Sequence, residues 1–111
     1  MVVAYLLLVL AILAEVVATL ALKLSDGFSK LIPSIVVVVG YLISFAALGL
    51  GLSKGLPMGV SYGIWAGTGT ALVAVLGIFL FGEKISAWGF VGIALIIVGV
   101  VLLELNSGHS E

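Results

Sequence analysis

Glu15 is the residue whose type and position most directly suggest chemistry. It lies near the middle of a long apolar run, within AILAEVVAT at 11–19. A charge at the centre of a membrane helix costs several kcal/mol unless it is compensated. All four lysines lie in loops or at the ends of apolar runs, so the compensating charge must be a proton or a bound cation. Because burial disfavours the ionised carboxylate, Glu15 is a candidate site for exchanging a proton against a cation.

The plain alternative is that Glu15 stays protonated and hydrogen-bonds to a neighbouring helix as part of the packing. Ionisable residues inside membrane spans are rare and mark ion or substrate paths, which favours the functional interpretation. Helical spacing places Leu8, Ala11, Ala18 and Thr19 on the same face as Glu15. These side chains are small or modest in size, so we expect the face to line a cavity beside the carboxylate.

Aromatic residues in two further apolar runs suggest which cation is bound. Tyr62 and Trp65 are three residues apart, and so are Tyr41 and Ser44, so each pair shares a helix face. Aromatic faces beside a carboxylate suit organic cations. Taken alone, a Tyr or Trp in a membrane helix is explained by packing or by anchoring at the interface. Together with Glu15, the aromatic residues favour a substrate pocket.

Four apolar runs, at about 3–22, 31–52, 57–81 and 86–105, supply the elements that position these residues. Each reaches the roughly 20 residues that a helix needs to cross the hydrocarbon core, and backbone facing lipid must be helical to satisfy its hydrogen bonds. The chain is 64% hydrophobic and 8% charged, a balance that no soluble domain of this size can bury. The sequence predicts an all-α integral membrane fold, with one domain over 1–111 and four transmembrane helices antiparallel to their neighbours.

Glycines suggest where helices approach one another and where one helix bends. Gly67 and Gly69 flank Thr68 in the third run and are predicted to form a hinge. Gly92 and Gly99, seven residues apart in the fourth run, are predicted to form a dimer interface. One copy provides one acid inside the membrane and four helices, which are too few to enclose a drug-sized cavity. We therefore expect two copies around a shared pocket.

The composition also argues against several functions. With a net charge of -1, no arginine and scattered lysines, the chain lacks a basic surface for nucleic acid. It has no cysteine, and its one histidine, His109, lies in the polar tail. We therefore expect no metal site, no cofactor and no enzyme active site. The first apolar run starts without a basic segment or a cleavage site, so we expect it to be retained. The lysines of the loops leave the insertion topology open.

Short motifs in a fixed order run along nearly the whole chain. They are Ala14-Glu15-Val16, Lys23, Gly27-Phe28, Pro33-Ser34, Gly40-Tyr41, Ser44-Phe45, Pro57, Gly59, Tyr62, Ile64-Trp65, Gly67-Thr68-Gly69, Gly82-Glu83, Gly92, Leu95-Ile96 and Gly99-Val100. In this pattern the chain resembles the small multidrug resistance family of proton-coupled exporters. The resemblance rests on the set of motifs and their order.

The resemblance implies a multi-pass protein of the prokaryotic inner (plasma) membrane that works as an antiparallel dimer. Two copies of Glu15 would bind protons and a cationic substrate competitively, with aromatic residues around the substrate and the fourth helix as the dimer contact. In this resemblance, the family's guanidinium exporters have Gly at the position that matches Ala11 and Trp at the position that matches Ala18. The small residues here favour the quaternary-cation branch. Glu104 departs from the family pattern, and its place at the end of a span predicts an interfacial role.

The leading hypothesis is therefore a proton-coupled antiporter that exports lipophilic aromatic or quaternary ammonium cations by alternating access. A guanidinium-type exporter of the same family is the first alternative. A non-transporting membrane subunit, such as a rotor-ring proteolipid or an assembly factor, is the second, since it also keeps one protonatable acid in a helix. The partner is expected to be an identical copy, and a heterodimer with a related chain stays open.

Overall fold

The computed structural model describes the backbone of residues 1–109 and the side chains of residues 1–106. It contains α1 (Val2–Leu24), α2 (Leu31–Ser53), α3 (Met58–Phe81) and α4 (Ala87–His109). The described backbone contains no strand. All four helices are long and apolar enough to cross a membrane. The predicted all-α membrane fold with four spans is confirmed.

The helix ends differ from the predicted spans mainly in α4. This helix continues to His109, whereas the apolar run was predicted to end at 105. The prediction followed hydrophobicity, and a helical backbone can continue through polar residues once it has left the hydrocarbon core. At the other end of α4, Ser86 acts as the N-cap, because its Oγ accepts a hydrogen bond from the Gly89 N–H at 3.3 Å.

The loop between α1 and α2 is short and bonded to itself. Ser25 is fully buried, and its Oγ donates to the Leu22 carbonyl at 2.7 Å and accepts from the Phe28 N–H at 3.1 Å. The Lys30 N–H donates to the Ser25 carbonyl at 3.1 Å. So short a connection makes α1 and α2 antiparallel neighbours, as predicted.

The chain divides after Leu56 into two compact units. In the first unit α1 packs against α2, and in the second unit α3 packs against α4. In each unit large apolar side chains are exposed, for example Leu42 at 67% and Phe79 at 78%, as expected of surfaces that face lipid. The single membrane domain over 1–111 stays a prediction, and residues 110 and 111 lie outside the described part of the chain.

Candidate functional site

Glu15 is half-buried in the middle of α1, and its carboxylate is bonded by a hydroxyl of its own helix. Thr19 follows four residues later, and its Oγ1 lies 2.6 Å from Glu15 Oε2. Residues four apart on a helix are neighbours on its surface, so the spacing alone brings these two side chains together. Thr19, predicted only to share the Glu15 face, is a direct hydrogen-bond partner of the carboxylate.

Tyr41 of α2 completes a chain of three oxygens. Its hydroxyl lies 2.6 Å from Thr19 Oγ1, and either atom can be the donor. Tyr41 therefore reaches Glu15 through Thr19. The structure brings together three of the predicted site residues, contributed by two helices. Bonds of 2.6 Å are at the short end of the O–H···O range, which indicates well-formed contacts.

Ser44, one turn after Tyr41, makes the second polar bond between the two helices. Its Oγ donates to the Ala11 carbonyl at 2.6 Å, and both residues are fully buried. Ser44 was predicted to line the substrate pocket. In the single chain its hydroxyl holds α2 against α1.

The small residues predicted around Glu15 lie at or near this helix contact. Ala18 is fully buried and Leu8 is 4% exposed. Gly40 of α2 comes so close to α1 that a Cβ added there would lie 2.8 Å from the Ala18 Cβ and 3.3 Å from the Ala14 carbonyl oxygen. The close approach of α1 and α2 thus depends on Ala18 and Gly40. Substrate contact by Leu8, Ala11 and Ala18 stays a prediction.

Tyr62 and Trp65 form an aromatic pair on α3. Their ring centroids are 5.5 Å apart and the ring planes are tilted by 49°. Tyr62 is 50% exposed and Trp65 only 7%, so the Tyr62 ring is accessible and the Trp65 ring is packed against its surroundings. These are the spacing and tilt of favourable aromatic pairs. The two rings lie together on one face of α3, and a pocket that also includes Glu15 stays a prediction.

The glycines of α3 lie within an unbroken helix. Gly67 approaches α4, since a Cβ added there would lie 2.7 Å from Val100 Cγ2, and Gly63 likewise approaches Leu103 Cδ1 at 2.7 Å. Gly69 is buried. Close packing explains Gly67 in the structure, and the hinge at Gly67 and Gly69 stays a prediction.

The face of α4 that carries Gly92 and Gly99 is open in the single chain. A Cβ added at either glycine would meet no atom within 4 Å. None of the described residues of α4 with a side chain, 87–106, is buried. The predicted dimer interface at these glycines has room for a partner and stays a prediction.

Two features of the site were missed by reasoning from the sequence. One is the role of Gly40, which appeared only as part of a motif, although a glycine facing small residues of another helix is a known signal for close packing. The other is the link from Tyr41 to Glu15 through Thr19. The bond between Thr19 and Glu15 could be predicted because the two residues are four apart on one helix. The bond between Thr19 and Tyr41 depends on the register of α1 against α2.

Comparison with known proteins identifies relatives along almost the whole chain. Residues 3–96 match the family described as Small Multidrug Resistance protein. The quaternary ammonium compound-resistance protein QacE of Escherichia coli is 52% identical over 106 residues, which cover 96% of each chain. A putative ethidium bromide resistance protein of Pseudomonas aeruginosa is 50% identical, covering 96% of this chain and 91% of its own. The multidrug resistance protein Mmr of Mycobacterium tuberculosis is 45% identical, covering 95% and 98%.

Proposed function

Because the chain belongs to the small multidrug resistance family, we propose that it is an antiporter that exports lipophilic aromatic or quaternary ammonium cations in exchange for protons. It is a multi-pass protein of the bacterial inner membrane. Protons and substrate compete for Glu15. With either one bound, the protein changes between an opening to one side of the membrane and an opening to the other. The activity is transport and not catalysis.

The observation that carries this proposal is the surroundings of Glu15. Its carboxylate is bonded by the neutral hydroxyl of Thr19, and Lys23 lies eight residues further along α1, about 12 Å at the helical rise. The other three lysines lie in the loops or at their edges. Inside the membrane, a carboxylate without a cationic side chain needs a proton or a bound cation to balance it. Glu15 therefore has two states, protonated or holding a cation.

Competition between these two states is sufficient to couple the fluxes. A proton and a cation that exclude each other from one carboxylate each weaken the binding of the other, as linkage requires. If the protein changes its opening only when Glu15 is occupied, an inward proton gradient drives the cation outward. Coupling the two fluxes in this way requires no charged residue other than Glu15.

The aromatic pair and the names of the relatives support the substrate class. Tyr62 presents half of its surface and lies against the nearly buried ring of Trp65, which is an arrangement that can bind a flat or quaternary cation by cation–π attraction. Relatives at 52% and 50% identity are named for resistance to quaternary ammonium compounds and to ethidium bromide. Both supports favour these cations over guanidinium.

We further propose that two copies assemble in antiparallel orientation through α4. The open glycines Gly92 and Gly99 leave space for the backbone of a second helix, and small residues are what close helix contacts in membranes use. In the dimer two Glu15 carboxylates serve one cation. An identical copy is the simplest partner.

The test is uptake of ethidium into liposomes of purified protein under an imposed pH gradient. The Glu15→Gln variant keeps the volume of the side chain but cannot exchange a proton, so coupled uptake should fall to the level of empty liposomes. Glu104→Gln is the matched control, because Glu104 is an exposed carboxylate in the C-terminal part of α4, and its replacement should leave uptake unchanged. Undiminished pH-driven uptake by Glu15→Gln would refute the mechanism, and competition by guanidinium instead of a tetraalkylammonium ion would reassign the substrate.

A further inference from the structure

Thr19 lies between two other oxygens, and its single proton limits how it can bond them. Its Oγ1 is 2.6 Å from Glu15 Oε2 on one side and 2.6 Å from the Tyr41 hydroxyl on the other. A threonine hydroxyl donates one hydrogen bond and accepts through its lone pairs. Thr19 can therefore donate to no more than one of these neighbours, and the directions of the two bonds depend on each other.

The protonation state of Glu15 determines which directions are open to the two bonds. An ionised carboxylate only accepts, so Thr19 must donate to Glu15 and Tyr41 must donate to Thr19. A protonated Glu15 can donate to Thr19, and the proton of Thr19 is then directed at Tyr41. In that state the Tyr41 hydroxyl accepts from Thr19, and its own proton is released to another partner. The change needs only rotation of O–H bonds.

We propose that Thr19 is a positioning residue that relays the protonation state of Glu15 on α1 to the hydroxyl of Tyr41 on α2. The inference rests on the proposed function in taking Glu15 as the exchange site, and it adds how a second helix detects which ion is bound. When a cation holds Glu15 in its ionised form, Tyr41 is committed as a donor to Thr19. When a proton replaces the cation, the donor of Tyr41 becomes available.

The second polar bond between α1 and α2 cannot act in this way. Ser44 donates to the carbonyl oxygen of Ala11, and a carbonyl only accepts, so the direction of this bond is fixed. Both bonds join the same two helices at 2.6 Å, but only the bond through Thr19 can reverse. The two bonds therefore separate a fixed contact from a switchable one.

Few other groups in this unit can titrate near the relay. Tyr41 is the one titratable residue of α2, the helix packed against α1. On α1 itself the others are Tyr5 and Lys23, which lie ten residues before and eight residues after Glu15. At the helical rise these separations are about 15 and 12 Å. A pH-dependent signal at Tyr41 in this unit is therefore expected to originate from Glu15.

The experiment follows the two ends of the relay separately, in substrate-free protein in lipid bilayers. Glutamate labelled with ¹³C at the carboxyl carbon reports the protonation of Glu15, and tyrosine labelled at the hydroxyl-bearing ring carbon reports the bonding of Tyr41. The variants Glu15→Gln and Tyr41→Phe assign the two resonances. In the wild type we expect the Tyr41 resonance to change in one step, at the pH at which Glu15 titrates.

Thr19→Val removes the hydroxyl at nearly constant volume and should abolish the step at Tyr41 while Glu15 still titrates. Thr19→Ser keeps the hydroxyl and should preserve the step. Thr70→Val is the matched control, because Thr70 Oγ1 donates only within its own helix, to the Ala66 carbonyl at 2.7 Å, and it should leave both signals unchanged.

The relay is overturned if Tyr41 shows no step in the wild type, or if the step survives in Thr19→Val. The wild-type measurement alone can refute it, so the test does not depend on the folding of a variant. A relay that works in a protein without pH-driven ethidium uptake would disprove the antiport function and leave the relay standing. Uptake that persists without a step at Tyr41 would disprove the relay and leave the antiport function standing.

Discussion

Both helix pairs of this chain contain close contacts at glycines, and the structure also places side-chain hydrogen bonds between the helices of the first pair. Between α1 and α2, hydroxyls bond across the interface from Tyr41 to Thr19 and from Ser44 to the Ala11 carbonyl. Between α3 and α4, Gly63 and Gly67 receive the ends of aliphatic side chains from Leu103 and Val100. α1 and α2 both carry buried residues, whereas no described side chain of α4 is buried.

The difference indicates what each pair is suited to do. Hydrogen bonds are directional, so they hold α1 and α2 in one register and keep Glu15 beside its partners. Contacts between glycines and aliphatic side chains have no preferred direction, so these contacts by themselves constrain the register of α3 against α4 less. We expect the first pair to define the exchange site. We expect the second pair to serve movement and assembly.

The largest effect should come from closing the open face of α4. In Gly92→Leu and Gly99→Leu, a bulky side chain occupies the space that we assign to a second copy, so the dimer and ethidium binding should be lost together. Mass measurement in detergent and binding titration check the two properties. Gly49→Leu makes the same change at another open glycine, in α2, and should affect neither. If both α4 variants remain dimeric and bind normally, α4 is not the interface.

The next effect compares the two pairs directly by adding one methyl group to each contact. In Gly40→Ala the new Cβ would meet the Cβ and the backbone of Ala18, which cannot move unless the helices separate. In Gly63→Ala it would meet Leu103 Cδ1, the end of a flexible side chain that can rotate away. We expect Gly40→Ala to destabilise the protein by about 1–3 kcal/mol, the usual cost of overpacking, and Gly63→Ala by less.

Gly49→Ala provides the baseline for this comparison. No atom lies within 4 Å of a Cβ at Gly49, so only the higher helix propensity of alanine acts, worth up to about 1 kcal/mol in favour of folding. Reversible unfolding in mixed micelles measures all three variants. Equal stabilities for Gly40→Ala and Gly63→Ala would show that the two pairs are packed with the same rigidity.

Trp65→Ala tests whether the second pair also contributes to binding. Loss of the nearly buried ring should weaken the binding of ethidium by about 1–2 kcal/mol, which is roughly five- to thirty-fold. Trp88→Ala is the control, because Trp88 lies at the start of α4 with 83% of its surface exposed. Titration by fluorescence anisotropy measures both variants. An unchanged affinity for Trp65→Ala removes this ring from the substrate pocket and leaves the site to the first pair.

The sequence predicted much of this fold because hydrophobic length alone defines a membrane span. The four helices lie close to the predicted spans, and α4 is longer because hydropathy does not report where a polar helix end stops. Within the site, the neighbouring positions of Glu15 and Thr19 follow from helical spacing. The contact of Thr19 with Tyr41 does not, because it depends on how closely α2 approaches α1 at Gly40. That distance is set by three-dimensional packing, which the order of residues along one helix does not reveal.

The smallest effect concerns Ser44, whose bond to Ala11 holds the first pair without being switchable. Ser44→Ala should destabilise the protein by roughly 0.6 kcal/mol, the average for a side-chain hydrogen bond between membrane helices. The cost is small because the carbonyl of Ala11 keeps its place in the hydrogen bonding of α1. Ser53→Ala, which removes a hydroxyl bonded only to the Leu50 carbonyl of its own helix, is the control and should cost less.

The same Ser44 variant also distinguishes two roles of the bonds between α1 and α2: stabilising the helix pair, and relaying the protonation state of Glu15. If α1 and α2 communicate only because they are fixed together, Ser44→Ala and Thr19→Val should weaken the pH response of Tyr41 alike. If communication runs through the reversible bond, Ser44→Ala lowers stability and leaves the Tyr41 step at the Glu15 midpoint, whereas Thr19→Val removes the step. Unfolding and ¹³C titration of the two variants decide between these outcomes. Loss of the step in Ser44→Ala would show that the register of the first pair, and not the hydroxyl of Thr19, carries the signal.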